Sequence, residues 1–143
     1  MRPILSALLG AMLAVNGSYM LAAPGSWYDA VPGVAESGPL NAHFVRDIGT
    51  IYLLTGLAFL WLARSPRARG AALVGALFLA LHGLIHLGEG ISSDHWHNLA
   101  SMLACICAPA VLALWLAFAR PGTPSRKEND HASLADQALH RCL

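Results

Sequence analysis

The sequence predicts an all-α fold, an integral membrane four-helix bundle with both termini in the cytoplasm, and three observations lead to it. The 143-residue chain is 56% hydrophobic and only 12% charged, whereas an average soluble domain is about 25% charged. Eight of its nine Lys and Arg residues lie before the first apolar run, between the second and third, or after the fourth. The positive-inside rule assigns these segments to the cytoplasm. It contains four apolar runs near the roughly 20 residues needed to cross about 30 Å of hydrocarbon, at 4–23, 44–63, 71–90 and 99–119.

The first run predicts a retained helix rather than a cleaved secretory signal. It is longer than the 7–15 residues, roughly, of a signal core, and Met20 or Leu21 stands where cleavage favours a small residue. Ser6, Gly10 and Gly17 offer small surfaces for close helix packing.

The Gly- and Pro-rich segment 24–42 predicts an irregular outer loop. Trp27 and Tyr28 suit the headgroup layer, so the loop is either a lid over the bundle or an anchored connector. Asn41 is a candidate N-cap for the second helix, which opens with His43, Arg46 and Asp47.

The third run carries a polar stripe in an otherwise apolar sequence. His82, His86 and Glu89 follow i, i+4, i+7 spacing and therefore share one helix face. Charged side chains within a membrane cost roughly 2.5–3.5 kcal/mol each on insertion scales, so such a stripe predicts a functional site.

In the fourth run, Pro109 predicts a kink. Cys105 and Cys107 lie on different sides of a helix, so they predict no disulfide with each other, and we interpret them as small apolar fillers. The domain is predicted to end near residue 120, and 121–143 reads as a disordered cytoplasmic tail.

Four spans with cytoplasmic termini would bring most of the polar residues into one layer at the outer face. Imidazole and carboxylate are common ligands of zinc, iron and copper, so the layer predicts a transition-metal site. His82 with His86, or His86 with Glu89, would be joined by a ligand from the second helix. The candidate metal ligands are His82, His86, His43, Glu89, Asp47 and His97.

If the site is catalytic, Arg46 would hold an anionic group, and Glu89 or Asp47 would move protons. Two other interpretations stay open: a metal-free pocket that binds a small molecule or handles protons, and a polar network that only fixes helix packing. A haem is a further option that nothing in the sequence selects.

The segment from Asn41 to Gly56, Asn-Ala-His-Phe-Val-Arg-Asp-Ile-Gly-Thr-Ile-Tyr-Leu-Leu-Thr-Gly, resembles the Asn-x-His-x-x-Arg-x-x-Gly motif of small four-helix bacterial membrane proteins of the DoxX-like group. The resemblance covers mainly the second helix and the span pattern, and it implies a fold and little chemistry. Some members of the group are linked to redox or sulfur metabolism.

Together these features predict a multi-pass protein of the bacterial inner membrane with a His/carboxylate site near the periplasmic face. It would handle a metal, a redox group or a small substrate, and whether it is an enzyme stays open. The alternative is a non-catalytic accessory or structural subunit, whose polar layer binds a partner or fixes helix packing. The expected partners are lipid, a small-molecule or metal ligand, and a protein partner or a second copy, with no nucleic acid.

Overall fold

The computed structural model describes residues 1–35, 38–92 and 103–118, and regular structure among them is helical throughout. A 3₁₀ turn spans Pro66–Ala68, and a π-helical turn spans Leu103–Cys107. The helices are α1 Arg2–Ala22, α2 Pro24–Ala30, α3 Ala42–Arg64, α4 Arg69–Ser92 and α5 Ala108–Phe118.

Three helical stretches, Arg2–Ala22, Ala42–Arg64 and Pro66–Gly90, are long and apolar enough to cross a membrane. They coincide with the first three apolar runs of the sequence. The described part of the fourth run, Leu103–Phe118, is a shorter apolar helix, and its predicted start at residue 99 lies outside the described residues.

Among the described helices, α1 and α3 pack with their backbones in contact through two pairs of glycines. A Cβ on Gly10 would lie 2.8 Å from the carbonyl oxygen of Gly56, and a Cβ on Gly17 would lie 2.6 Å from that of Gly49. The pairs run in opposite chain directions, so the two helices are antiparallel with their backbones in contact. Beside them the Ser6 hydroxyl donates a buried 2.9 Å hydrogen bond to the carbonyl of Phe59.

α4 packs on α5, and both helices carry buried alanines in the small-xxx-small spacing that lets membrane helices approach closely. α4 also packs on α3, where a Cβ on Gly75 would lie 2.7 Å from the Thr55 methyl group. The buried core cluster consists of Leu9, Leu13, Phe59, Ala72, Ala76, Leu79, Ala110, Ala113, Leu116 and Ala117.

Large apolar side chains cover the outside of this small-residue core. Soluble monomers rarely expose contiguous apolar patches above a few hundred Å², and helices that are apolar all round belong in a core or a membrane. The surface is therefore typical of a protein surrounded by lipid. Side chains at least 60% exposed include Ile4, Leu8, Val15, Leu54, Val74, Leu81, Leu84, Ile85, Val111 and Phe118.

Three local predictions have an outcome in the structure. The prediction of an irregular outer loop was wrong for Pro24–Ala30, which is helical with Pro24 in the first turn, a position where proline is favoured. The predicted N-cap is confirmed, since the Asn41 Oδ1 accepts from the Phe44 amide at 3.1 Å. The third prediction is the kink at Pro109. A π-helical turn ends directly before Ala108 and Pro109, where the missing proline N–H disturbs regular helical bonding.

Candidate functional site

The antiparallel packing gives the bundle two chemically different ends. One, which we call the arginine end, carries Arg2, Arg64, Arg67 and Arg69. The other, the histidine end, combines the last turns of α1, the first turns of α3 and the last turns of α4. It carries His43, Arg46, Asp47, His82, His86 and Glu89.

His82 is the most embedded of the described histidines and lies among aromatic rings of two helices. Its ring stacks on Phe78 one turn earlier, with ring centres 5.6 Å apart and planes 21° apart. It also meets Tyr52 of α3 edge to face, at 5.9 Å and 85°. These contacts place the imidazole between its own helix and α3.

His86 continues the stripe one turn further along α4. Its ring centre lies 4.6 Å from that of His82. Its Nδ1 lies 3.8 Å from the Glu89 Oε2, with side chains 36% and 69% exposed. The predicted stripe on one face of α4 is therefore present, and it runs from the aromatic contact with α3 to the exposed carboxylate.

His43 and Asp47 do not join this stripe, contrary to the predicted site that links α3 to α4. Their Nε2 and Oδ2 lie 3.5 Å apart, and the two side chains are 89% and 60% exposed. The reason is the packed face of α3, which contains Gly49 and Gly56. Asp47 precedes Gly49 by two residues, about 200° around a helix, so it points away from the bundle.

Arg46 contacts α1. Its Nε donates a 3.3 Å hydrogen bond to the carbonyl of Leu21, one of the last carbonyls of α1, which lack intrahelical partners. Arg46 therefore caps α1. Its predicted contact with an anionic substrate stays a prediction.

Among the described residues no group of three His, Cys, Asp or Glu side chains is placed to hold a metal ion. The predicted ligand His97 lies outside those residues. Cys105 is exposed, Cys107 is half-buried, and both thiols are free. On the α4 stripe the donor set is therefore the imidazole pair of His82 and His86 with Glu89 beside it.

Tyr52 is the site residue that the sequence interpretation missed. It is half-buried on α3 and contacts both Phe78 and His82. A signal was present, because Tyr52 follows Gly49 by three residues and so lies near the packed face.

The connector between α1 and α3 is tied to the bundle by side-chain hydrogen bonds. The Trp27 Nε1 donates to the Asn16 Oδ1 at 3.0 Å, which fastens α2 to α1. The Tyr28 hydroxyl donates to the carbonyl of Gly38 at 2.6 Å. These bonds favour the anchored connector over the lid.

The chain matches no protein-family model, no curated protein and no solved structure. The resemblance to the DoxX-like group therefore stays a prediction.

Proposed function

We propose that this chain is a multi-pass protein of the bacterial inner membrane that binds a transition-metal ion through His82 and His86. The observation that carries the proposal is the 4.6 Å between the two ring centres. An imidazole nitrogen binds zinc at about 2.0–2.1 Å, so two rings that meet at about 90–110° have centres roughly 4.5–5.2 Å apart. The observed separation lies within that interval. Rotation of the His82 and His86 side chains about their torsion angles would direct one nitrogen of each ring at a shared ion.

Glu89 fits the role of a supporting carboxylate. Histidines that bind metals usually donate their other ring N–H to a carboxylate or carbonyl, which fixes the ring orientation. The Glu89 Oε2 lies on the Nδ1 side of His86, which leaves the Nε2 of His86 for the ion. A closure of about 1 Å would turn the 3.8 Å ion pair into a hydrogen bond.

The two-histidine donor set supports an open site rather than a structural one. Structural zinc sites use four protein ligands, while catalytic sites keep a position for water or substrate. The site is open at its surface, because the side chains of His86 and Glu89 are 36% and 69% exposed. The proposed role is therefore handling of an exchangeable metal or activation of a small ligand bound to it, near the periplasmic face.

The periplasmic position of the site follows from the charge distribution. Four arginines gather at the arginine end, and basic residues mark the cytoplasmic side. The histidine end would then face outward. Zinc, iron and copper all accept imidazole, and the choice among them is left to measurement.

The aromatic contacts of His82 favour a second candidate, a packing role without a metal. The stacked contact with Phe78 and the edge contact with Tyr52 would be kept by a phenylalanine at position 82. His82→Phe therefore removes the nitrogen donor while it retains the ring, and it separates the two candidates.

The test is elemental analysis for zinc, iron and copper on protein purified in detergent without chelators. We expect about one metal ion per chain in the wild type. His82→Phe and His86→Ala should each lose the metal as completely as the variant that carries both substitutions. The reason is that the effects of replacing ligands that act as a unit are not additive. His43→Ala, an exposed histidine at the same end, is the matched control and should keep it. No stoichiometric metal in the wild type, or equal metal in the double variant, would support the packing role instead.

A further inference from the structure

An apolar groove lies between α1 and α5 with the π-helical turn before it, away from the histidines of α4. An open groove of about 310 Å³ runs between the two elements, roughly twice the 150 Å³ that accommodates a benzene ring. One wall includes Leu5, Leu9 and Met12, and the other includes Ala104, Ala108 and Leu112. The lining is apolar, and small residues on one wall give the groove its depth.

A cation and an aromatic ring lie one turn beyond the groove lining, toward the arginine end. Arg2 lies one turn before Leu5, and Trp115 lies one turn after Leu112. The Arg2 guanidinium carbon is 5.4 Å from the centre of the Trp115 ring, a cation–π contact between the two walls. Tryptophan and arginine are the residues that anchor membrane proteins at the headgroup level, so this end of the groove fits the interface.

The charge at this position suits an anionic group. A guanidinium has five N–H donors in a planar fork that matches phosphate oxygens. Arg2 begins α1, whose first turn contains no acidic residue, and the N-terminus of a helix favours negative charge. A phosphate at this place would therefore meet positive potential from both the side chain and the helix.

The length of the groove indicates what occupies it. The groove lining on α1 runs from Leu5 to Met12, about 10 Å at 1.5 Å per residue, and Arg2 lies about 5 Å beyond it. The distance from Arg2 to Met12 is therefore about 15 Å, half of the roughly 30 Å hydrocarbon core. A partner transmembrane helix would need a surface over the whole thickness. An acyl chain of one leaflet reaches from the headgroup to the midplane, which matches the distance from Arg2 to the far end of the groove.

We infer that the groove binds one anionic phospholipid, with an acyl chain between α1 and α5 and the headgroup phosphate at Arg2. The lipid would join the two walls on the side where α5 and α1 make few direct contacts. The site is separate from the imidazole pair and does not depend on the proposed metal.

The experiment is native mass spectrometry of the full chain, released from vesicles of equal phosphatidylglycerol and phosphatidylcholine. The wild type should retain phosphatidylglycerol in preference to phosphatidylcholine. Ala108→Leu, which fills the groove, should lose the bound lipid. Val111→Leu is the matched control, since Val111 is 67% exposed on the same helix and does not line the groove.

Arg2→Gln tests the headgroup contact, and its position at an exposed helix end keeps the fold intact even if Ala108→Leu does not fold. It should reduce the preference for phosphatidylglycerol roughly fivefold, the effect of one basic residue at an anionic surface. Free glycerol phosphate should leave the bound lipid in place. The inference is overturned if Ala108→Leu folds and retains as much lipid as Val111→Leu, or if Arg2→Gln keeps the full preference for phosphatidylglycerol. Displacement of the lipid by glycerol phosphate, or a second copy of the chain in the groove, would also overturn it.

Discussion

The glycine interface between α1 and α3 and the polar stripe of α4 are packed in opposite ways. At the glycine interface, a Cβ on Gly56 would lie 2.4 Å from the backbone nitrogen of Ala14. On the stripe, the side chains of His86 and Glu89 are 36% and 69% exposed. One region is closed by backbone contact, and the other is open at its surface.

This difference separates the residues that hold the bundle together from those that are available for chemistry. In a membrane the hydrophobic effect does not drive helices together, so close van der Waals contact between small residues contributes much of the stability. Ionisable groups within a membrane are costly and mark function by default. We therefore expect substitutions at the glycine interface to change stability, and substitutions on the stripe to change binding.

The largest loss of stability is expected from Gly56→Ala. Its methyl group would overlap the Ala14 backbone, which cannot move aside as a flexible side chain can, and overpacking costs about 1–3 kcal/mol or more. Gly70→Ala is the matched control, because a Cβ there meets no atom of the described residues within 4 Å. Thermal unfolding in detergent should show a clear loss for Gly56→Ala and none for Gly70→Ala. Equal transition temperatures would show that the two helices are not in backbone contact.

A smaller loss is expected from Ser6→Ala, which removes the buried hydrogen bond to the Phe59 carbonyl. Interhelical hydrogen bonds in membranes average about 0.6 kcal/mol. Thr50→Ala is the control, since its hydroxyl bonds only to the Arg46 carbonyl of its own helix and is exposed. The same denaturation assay should rank Ser6→Ala below the wild type and Thr50→Ala level with it. The opposite ranking would contradict the assigned contact.

The smallest effect is expected at the exposed pair of α3. Asp47→Asn removes one partner of an ion pair whose side chains are 60% and 89% exposed, and exposed pairs often contribute little. Stability should stay within about 0.5 kcal/mol of the wild type, and metal content should not change. A loss of bound metal would show that Asp47 belongs to the metal site, contrary to its exposed position on α3.

The helices could be predicted from the sequence because length and apolar composition determine them. The first three apolar runs agree with α1, α3 and α4, and Asn41 was identified as a cap from its residue type and position. The short helix α2 was missed, since the prolines and glycines of its segment favour a turn. Pro24 is tolerated there only because it occupies the first helical turn.

The site was predicted less completely because helical spacing shows which residues share a face, but not where that face points. The stripe of α4 begins at His82, whose ring contacts Tyr52 of α3. The equivalent spacing of His43 and Asp47 describes the outer face of α3. The spacing of Gly49 and Gly56 could have revealed this, because two glycines seven residues apart mark the face on which another helix packs.

The central claim, that the imidazole pair of α4 binds a metal in the folded protein, is tested most directly by thermal unfolding with and without Zn²⁺. A ligand that binds only the folded state stabilises it by about 2.7 kcal/mol at a hundredfold excess over its Kd. Saturating Zn²⁺ should therefore raise the Tm of the wild type and of His43→Ala by the same several degrees. It should leave the Tm of His82→Phe/His86→Ala unchanged. An equal rise in the double variant, or no rise in the wild type, would contradict the claim.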